Sequence, residues 1–151
     1  MSQENSVNGY ILRISREEFA EQVFNTGKYY TGLLRDYKRG TPVIFAKAES
    51  VDGKKKTVDC LIGYGVVDKV EMLWEMSPEE EDYCRGHGWK VSLTLKGAKR
   101  FIKPLPIKES ALKTDKRRGA FLHGAKLTEE TIDGLLEQAE QAQETAKNGQ
   151  A

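Results

Sequence analysis

The side chains best suited to nucleophilic or soft-metal chemistry are few here: two cysteines and two histidines. Cys84-x-x-His87 has half the spacing of a zinc site, but Cys60 and His123 stand apart and supply no second pair. Neither cysteine sits in a local signature of a catalytic thiol. Cys60 opens an apolar run and reads as a small core residue. Gly63-Tyr64-Gly65 lacks the third glycine and the following helix of a dinucleotide site, and no Gly-Lys-Ser/Thr phosphate loop occurs. Glu79-Glu80-Glu81-Asp82 reads as charge favouring a helix N-terminus, not as paired catalytic acids. The expectation is therefore no metal, no cofactor and no enzymatic activity.

Recognition chemistry is better represented. Tyr29 and Tyr30 stand side by side in a stretch bracketed by Gly27 and Gly32, which reads as a loop. An aromatic face offered to an unstacked base is worth about 1–3 kcal/mol. The competing role for each tyrosine is ordinary packing with its hydroxyl bonded to a backbone carbonyl, and one of the two is expected to be core. Trp89 begins an amphipathic strand and is expected in the core. Trp74, among charged residues, is expected at the surface. Net charge is +1, but its distribution is uneven. The segment from Lys90 to Lys126 is basic, whereas Glu71–Asp82 and the C-terminal stretch from Glu129 are acidic. Such asymmetry produces either a basic face for a polyanion or solvated lysines paired with acidic helices.

Two short apolar runs position these groups. Thr41–Lys47 and Cys60–Val67 read as buried strands, joined by a polar connection with Asp52-Gly53 near its centre. Upstream, Tyr10–Ile14 reads as a first strand. Ser15 and Glu18 fit a capping box, with Ile14 and Phe19 as staple, for a helix stopped by Asn25-Thr26-Gly27. Leu33–Gly40 reads as a short turn or helix. Ser77, Pro78 and Glu80 start a second helix expected to end near Cys84, broken by Arg85–Gly88. Trp89, Val91, Leu93 and Leu95 alternate with polar residues. Pro104 and Pro106 exclude a central strand and predict an edge or an extended connection. Gly119–Gly124 is a short strand candidate. Thr128 is a plausible N-cap, and Ile132, Leu135, Leu136 and Ala139 give the last helix an apolar stripe.

A length of 151 residues fits one domain. The reading is a flexible tail over 1–8, a single domain over 9–140 and a polar tail over 141–151. Two cysteines make no disulfide framework, no apolar run is long enough to span a bilayer, and the N-terminus does not read as a signal peptide. A cytoplasmic protein without membrane association is expected.

The order of elements, the string Ile62-Gly63-Tyr64-Gly65-Val66-Val67 and the ending Phe101-Ile102-Lys103-Pro104-Leu105 through His123-Gly124-Ala125-Lys126-Leu127-Thr128 carry a resemblance. Over roughly residues 9–138 the chain resembles EVE-type domains of the PUA-like superfamily, whose relatives include PUA, YTH and ASCH domains. The resemblance implies an α+β fold: a mixed β pseudo-barrel with short flanking helices and a C-terminal helix. It also implies a non-enzymatic domain that binds RNA or DNA, with a modified base read in an aromatic-lined pocket behind a basic rim. A protein-interaction or small-ligand module on the same fold is the alternative. Carried over by position, the pocket draws on Ser15 beside Ile14, on Asn25, Lys28, Tyr29 and Tyr30, and on Arg117, Arg118, Phe121 and His123. The Trp-Gly pair common in the first loop of EVE domains is replaced here by Lys28-Tyr29-Tyr30, and the Gly-x-Lys-x-x-Glu signature of ASCH domains is read as absent.

Overall fold

The computed structural model describes residues 9–50, 57–110, 112 and 123–148. Six strands form one sheet: β1 (Gly9–Arg13), β2 (Lys28–Thr31), β3 (Pro42–Ser50), β4 (Thr57–Met72), β5 (Val91–Pro106) and β6 (Ala125–Leu127). Their order is β2-β5-β4-β3-β1-β6, with β1 parallel to β3 and every other pair antiparallel. Three helices accompany it: α1 (Glu17–Thr26), α2 (Pro78–His87) and α3 (Glu129–Asn148). None is long and apolar enough to cross a membrane.

Both faces of the sheet are covered, which is why β1 and β3 read as continuous apolar runs. Leu12, Val43, Phe45, Ile62 and Leu93 form one core together with Ala20 and Val23 of α1. Ile11, Ile44, Leu61 and Phe101 form the other with Ile132, Leu135 and Ala139 of α3. The long strands β4 and β5 break register between Leu61 and Gly63, Tyr64 and Val66, and Val67 and Lys69. Irregularities of this kind bend paired strands and curl a sheet toward a barrel. The expected hairpin is present and longer than its apolar runs; Asp52-Gly53 lies outside the described residues. Beyond Thr94 the outer edge of β5 has no strand partner among the described residues, so Pro104 and Pro106 lie where a missing N–H costs no described ladder bond.

Four local expectations need correction. Lys28-Tyr29-Tyr30 is strand, not loop, pairing through Tyr29↔Leu93 and Tyr30↔Ser92. The Ser15 capping box does not form. The Ile14 N–H still bonds the Ala46 carbonyl at 2.8 Å, which keeps the backbone extended, and Arg16 becomes an N-cap without a side-chain bond. Helix α2 runs past Cys84 to His87, and left-handed Gly88 ends it. Residues Ala125–Leu127 are strand β6, started by Gly124 at φ 76 with its N–H bonded to the Ile11 carbonyl. Other expectations hold. Ser77 Oγ accepts from the Glu80 N–H, Thr128 Oγ1 accepts from the Thr131 N–H, and of the α3 stripe Ile132, Leu135 and Ala139 are buried and Leu136 partly so.

Gly63 sets how α1 sits on the sheet. A Cβ there would lie 2.4 Å from the Phe24 ring and 2.5 Å from the Lys99 carbonyl oxygen. Gly63→Ala is expected to lower stability by about 1–3 kcal/mol, because the ring must leave its place against Phe45. Urea unfolding checks this; an unchanged midpoint would mean that both Phe24 and the Lys99 backbone give way without cost.

Candidate binding cleft

The curl of the sheet brings the end of β1, strand β2 and the residues before β6 around one cleft of about 700 Å³. Arg13, Ile14 and Ser15 enter from β1 and its continuation. Phe19, Gln22 and Val23 come from α1, Tyr29 to Leu33 from β2 and its exit, and Trp89 and His123 from two loops. Side chains bridge the gap between β2 and β1. Tyr29 Oη donates to the Arg13 carbonyl at 2.8 Å, and the Arg13 N–H donates to His123 Nδ1 at 2.9 Å. The Arg13 guanidinium is held by Asp59 of β4 at 2.8 Å.

An aromatic group lines the mouth. Trp89 is the shared partner. Tyr30 lies parallel to it at 5.5 Å and His87 at 4.3 Å, while Phe19 and Tyr83 meet it edge-on at 5.2 and 5.6 Å. Sequence periodicity placed Trp89 in the core with Val91, Leu93 and Leu95. The ladder starts two residues later, because the Trp89 N–H closes the end of α2 on the Cys84 carbonyl at 2.9 Å. That C-terminal cap turns Trp89 out of the strand alternation and toward Tyr30. Tyr30 is fixed from its other end: its hydroxyl donates to Glu80 at 2.6 Å. Burial, reinforced by that carboxylate, pushes the Tyr30 phenol well above its ordinary range.

The residues singled out from sequence divide three ways. Ser15, Tyr29, Tyr30 and His123 line the cleft, as does Ile14. Tyr29 is the core member of the tyrosine pair, 5 % exposed and packed 5.2 Å from Phe45. Burial drives its phenol far up as well. Asn25 and Lys28 do not line it. Asn25 is exposed in the last turn of α1, and Lys28 is spent on Glu71 at 3.3 Å and Glu80 at 3.5 Å. Arg117, Arg118 and Phe121 lie outside the described residues. Sequence reasoning missed Arg13, Phe19, Gln22 and Thr31. Thr31 alternates with Tyr29 on β2, a signal that was legible once Lys28–Thr31 is read as strand.

His123 is half-buried. Burial first, then the charges of Arg13 and Arg35, lower its pKa below the ordinary 6.5. The imidazole is therefore neutral at pH 7. Arg35 approaches from the other side, its Nε donating to the Gly124 carbonyl at 3.1 Å. No described residue lining the cleft is a carboxylate or a thiol. Both cysteines are buried, and burial raises the Cys84 thiol. Among the described residues no cluster of His, Cys, Asp and Glu is placed to hold a metal ion.

No family model matches the chain, and no curated protein matches its sequence. Among solved structures, the ASCH protein from Zymomonas mobilis is similar at a TM-score of 0.58 and 13% identity, covering 84% of this chain and 92% of that one. Tyr-to-Phe and Ser-to-Ala variants of that protein give TM-scores of 0.55 at 12% and 14% identity, over 84% of this chain and 95% and 93% of theirs. The Gly-x-Lys-x-x-Glu spacing associated with ASCH domains does occur in this chain, at Gly124, Lys126 and Glu129. There it spans β6 and the start of α3, where Lys126 and Glu129 are exposed and away from the cleft. At these identities the likeness is one of fold and does not reach the EVE type: this chain has an α+β fold like that of the ASCH protein, a curled six-stranded sheet with three helices.

Proposed function

We propose that this chain is a non-enzymatic nucleic-acid-binding domain that holds one unpaired base, of the modified kind read by EVE-type domains or an ordinary one, in the cleft between β1 and β2. The observation that carries this reading is the Tyr30–Trp89 stack at the mouth of a cleft whose floor offers hydrogen-bonding groups. A cleft of about 700 Å³ is ample for a base and its sugar. Rings already stacked on one another present a preorganised face, and a base docking there recovers stacking lost on extrusion. Arg16, Arg35 and Lys90 are exposed and adjoin lining residues, where they are suited to phosphates. The tyrosine hydroxyls are engaged and held far above neutral pH, which suits them to packing and recognition more than to proton transfer.

Fluorescence anisotropy with short single- and double-stranded RNA and DNA tests the reading. Binding is expected to favour single strands, to weaken at higher salt, and to drop about tenfold or more in Tyr30→Ala. A protein-binding role on the same fold is favoured by one feature, Trp74, which is 77 % exposed and lies outside the cleft. Absence of nucleic-acid binding even at low salt would pass the function to that role.

A further inference from the structure

The cleft floor carries a run of hydrogen bonds with a fixed direction. The Leu33 N–H donates to Thr31 Oγ1 at 3.0 Å. Tyr29, two residues back on the same strand, gives its hydroxyl proton to the Arg13 carbonyl at 2.8 Å. The Arg13 N–H donates to His123 Nδ1 at 2.9 Å. An imidazole nitrogen that accepts carries no proton, so neutral His123 bears its proton on Nε2. The surroundings keep the ring neutral, since charging it would set it against Arg13 and Arg35. Nε2–H faces Thr31 Oγ1 at 3.5 Å, the outer limit of a hydrogen bond, so that donor is only weakly held. A second donor belongs to the same wall: Arg13 Nε is buried and has no hydrogen-bond partner among the described residues. No described carboxylate lines the cleft to satisfy either.

We propose that the cleft discriminates bases by their oxo edge: a ring carbonyl oxygen accepts from His123 Nε2–H, whereas an exocyclic amino group there sets donor against donor. The inference rests on the base-binding reading above and adds a specificity-determining residue to it. Uracil and hypoxanthine carry a carbonyl where cytosine and adenine carry an amino group. Donor facing donor leaves two polar groups unpaired, and such mismatches discriminate more strongly than a lost methyl contact does.

The test uses RNA pentamers identical except for a central uridine, cytidine, inosine or adenosine, titrated against the full chain. Uridine is expected to bind about tenfold or more tighter than cytidine, and inosine than adenosine by a similar factor. His123→Asn keeps an oxygen where Nδ1 stood, so the Arg13 N–H stays bonded, and deletes the donor at Nε2. It is expected to erase the preference, with uridine losing affinity and cytidine gaining it as the donor–donor contact disappears. His123→Gln returns an amide N–H near the Nε2 position and is expected to restore part of the preference. Nitrogen-15 NMR of the free protein is expected to show His123 protonated on Nε2. Equal affinity for oxo and amino bases, a preference that survives His123→Asn, or a proton on Nδ1 overturns the oxo-edge inference and leaves base binding standing. Failure of all four pentamers to bind overturns both.

Discussion

Trp89→Ala is expected to weaken single-stranded nucleic-acid binding by about ten- to a hundredfold, the largest effect on affinity of any single change in the cleft. Two losses combine. The indole is the parallel ring that backs Tyr30, and it is the one ring in contact with Tyr30, His87, Phe19 and Tyr83 together. Removing it leaves Tyr30 tethered only by its hydroxyl on Glu80 and its edge contact with Tyr83. The stability cost should be smaller than for a core aromatic, because Trp89 is half-buried and precedes the ladder of β5. Trp89→Phe keeps a ring in place and should recover much of the affinity. The measurement is anisotropy beside urea unfolding for both variants. An intact Trp89→Ala protein with parental affinity would remove the aromatic mouth from the binding site.

The same residue shows where sequence reasoning stopped. Alternation over Trp89–Leu95 correctly identified Val91, Leu93 and Leu95 as core, because a period of two is a property of the strand itself. It failed at Trp89, because the strand boundary is set by the helix before it: the left-handed turn at Gly88 and the bond from the Trp89 N–H to the Cys84 carbonyl use up the residue. Ser15 shows the converse. Its candidacy as a cap came from local pattern and was overridden by a long-range bond from Ile14 to Ala46, yet that override is what leaves Ser15 beside the cleft. Strands β1, β3 and β4 were legible through their apolar runs, and the curled sheet they belong to through the family resemblance. The pairing of β2 with β5, which builds the cleft, was not, since Lys28–Thr31 is short, half polar and flanked by glycines. The family resemblance put Lys28 in the pocket. Only the fold brings Glu71 and Glu80 to it from distant positions.

Phe45→Ala is expected to cost about 3–5 kcal/mol, the largest stability effect in the chain. Phe45 is 0 % exposed, and Phe24 and Tyr29 pack on its ring at 5.9 and 5.2 Å. Across the β3–β4 pair it faces Gly63, so no side chain there can fill the space it leaves. Phe24 already occupies the volume above that glycine and Tyr29 is anchored to the Arg13 carbonyl, so collapse into the cavity is restricted on two sides. Against a total of about 5–15 kcal/mol for a domain, this loss removes a large share of the folding free energy. It should also reach the cleft. Tyr29 is the link between the Phe45 core and the hydrogen bonds through Arg13 to His123, so a loosened Tyr29 loosens the groups that would read a base. Phe45→Leu keeps most of the volume and should cost about 1.5 kcal/mol or less, with affinity near that of the parent. Urea unfolding and anisotropy on both variants separate the two effects. If Phe45→Ala unfolds at the parental denaturant concentration, the cleft floor does not depend on this core. If it unfolds early yet binds normally where folded, Tyr29 is held by its hydroxyl alone.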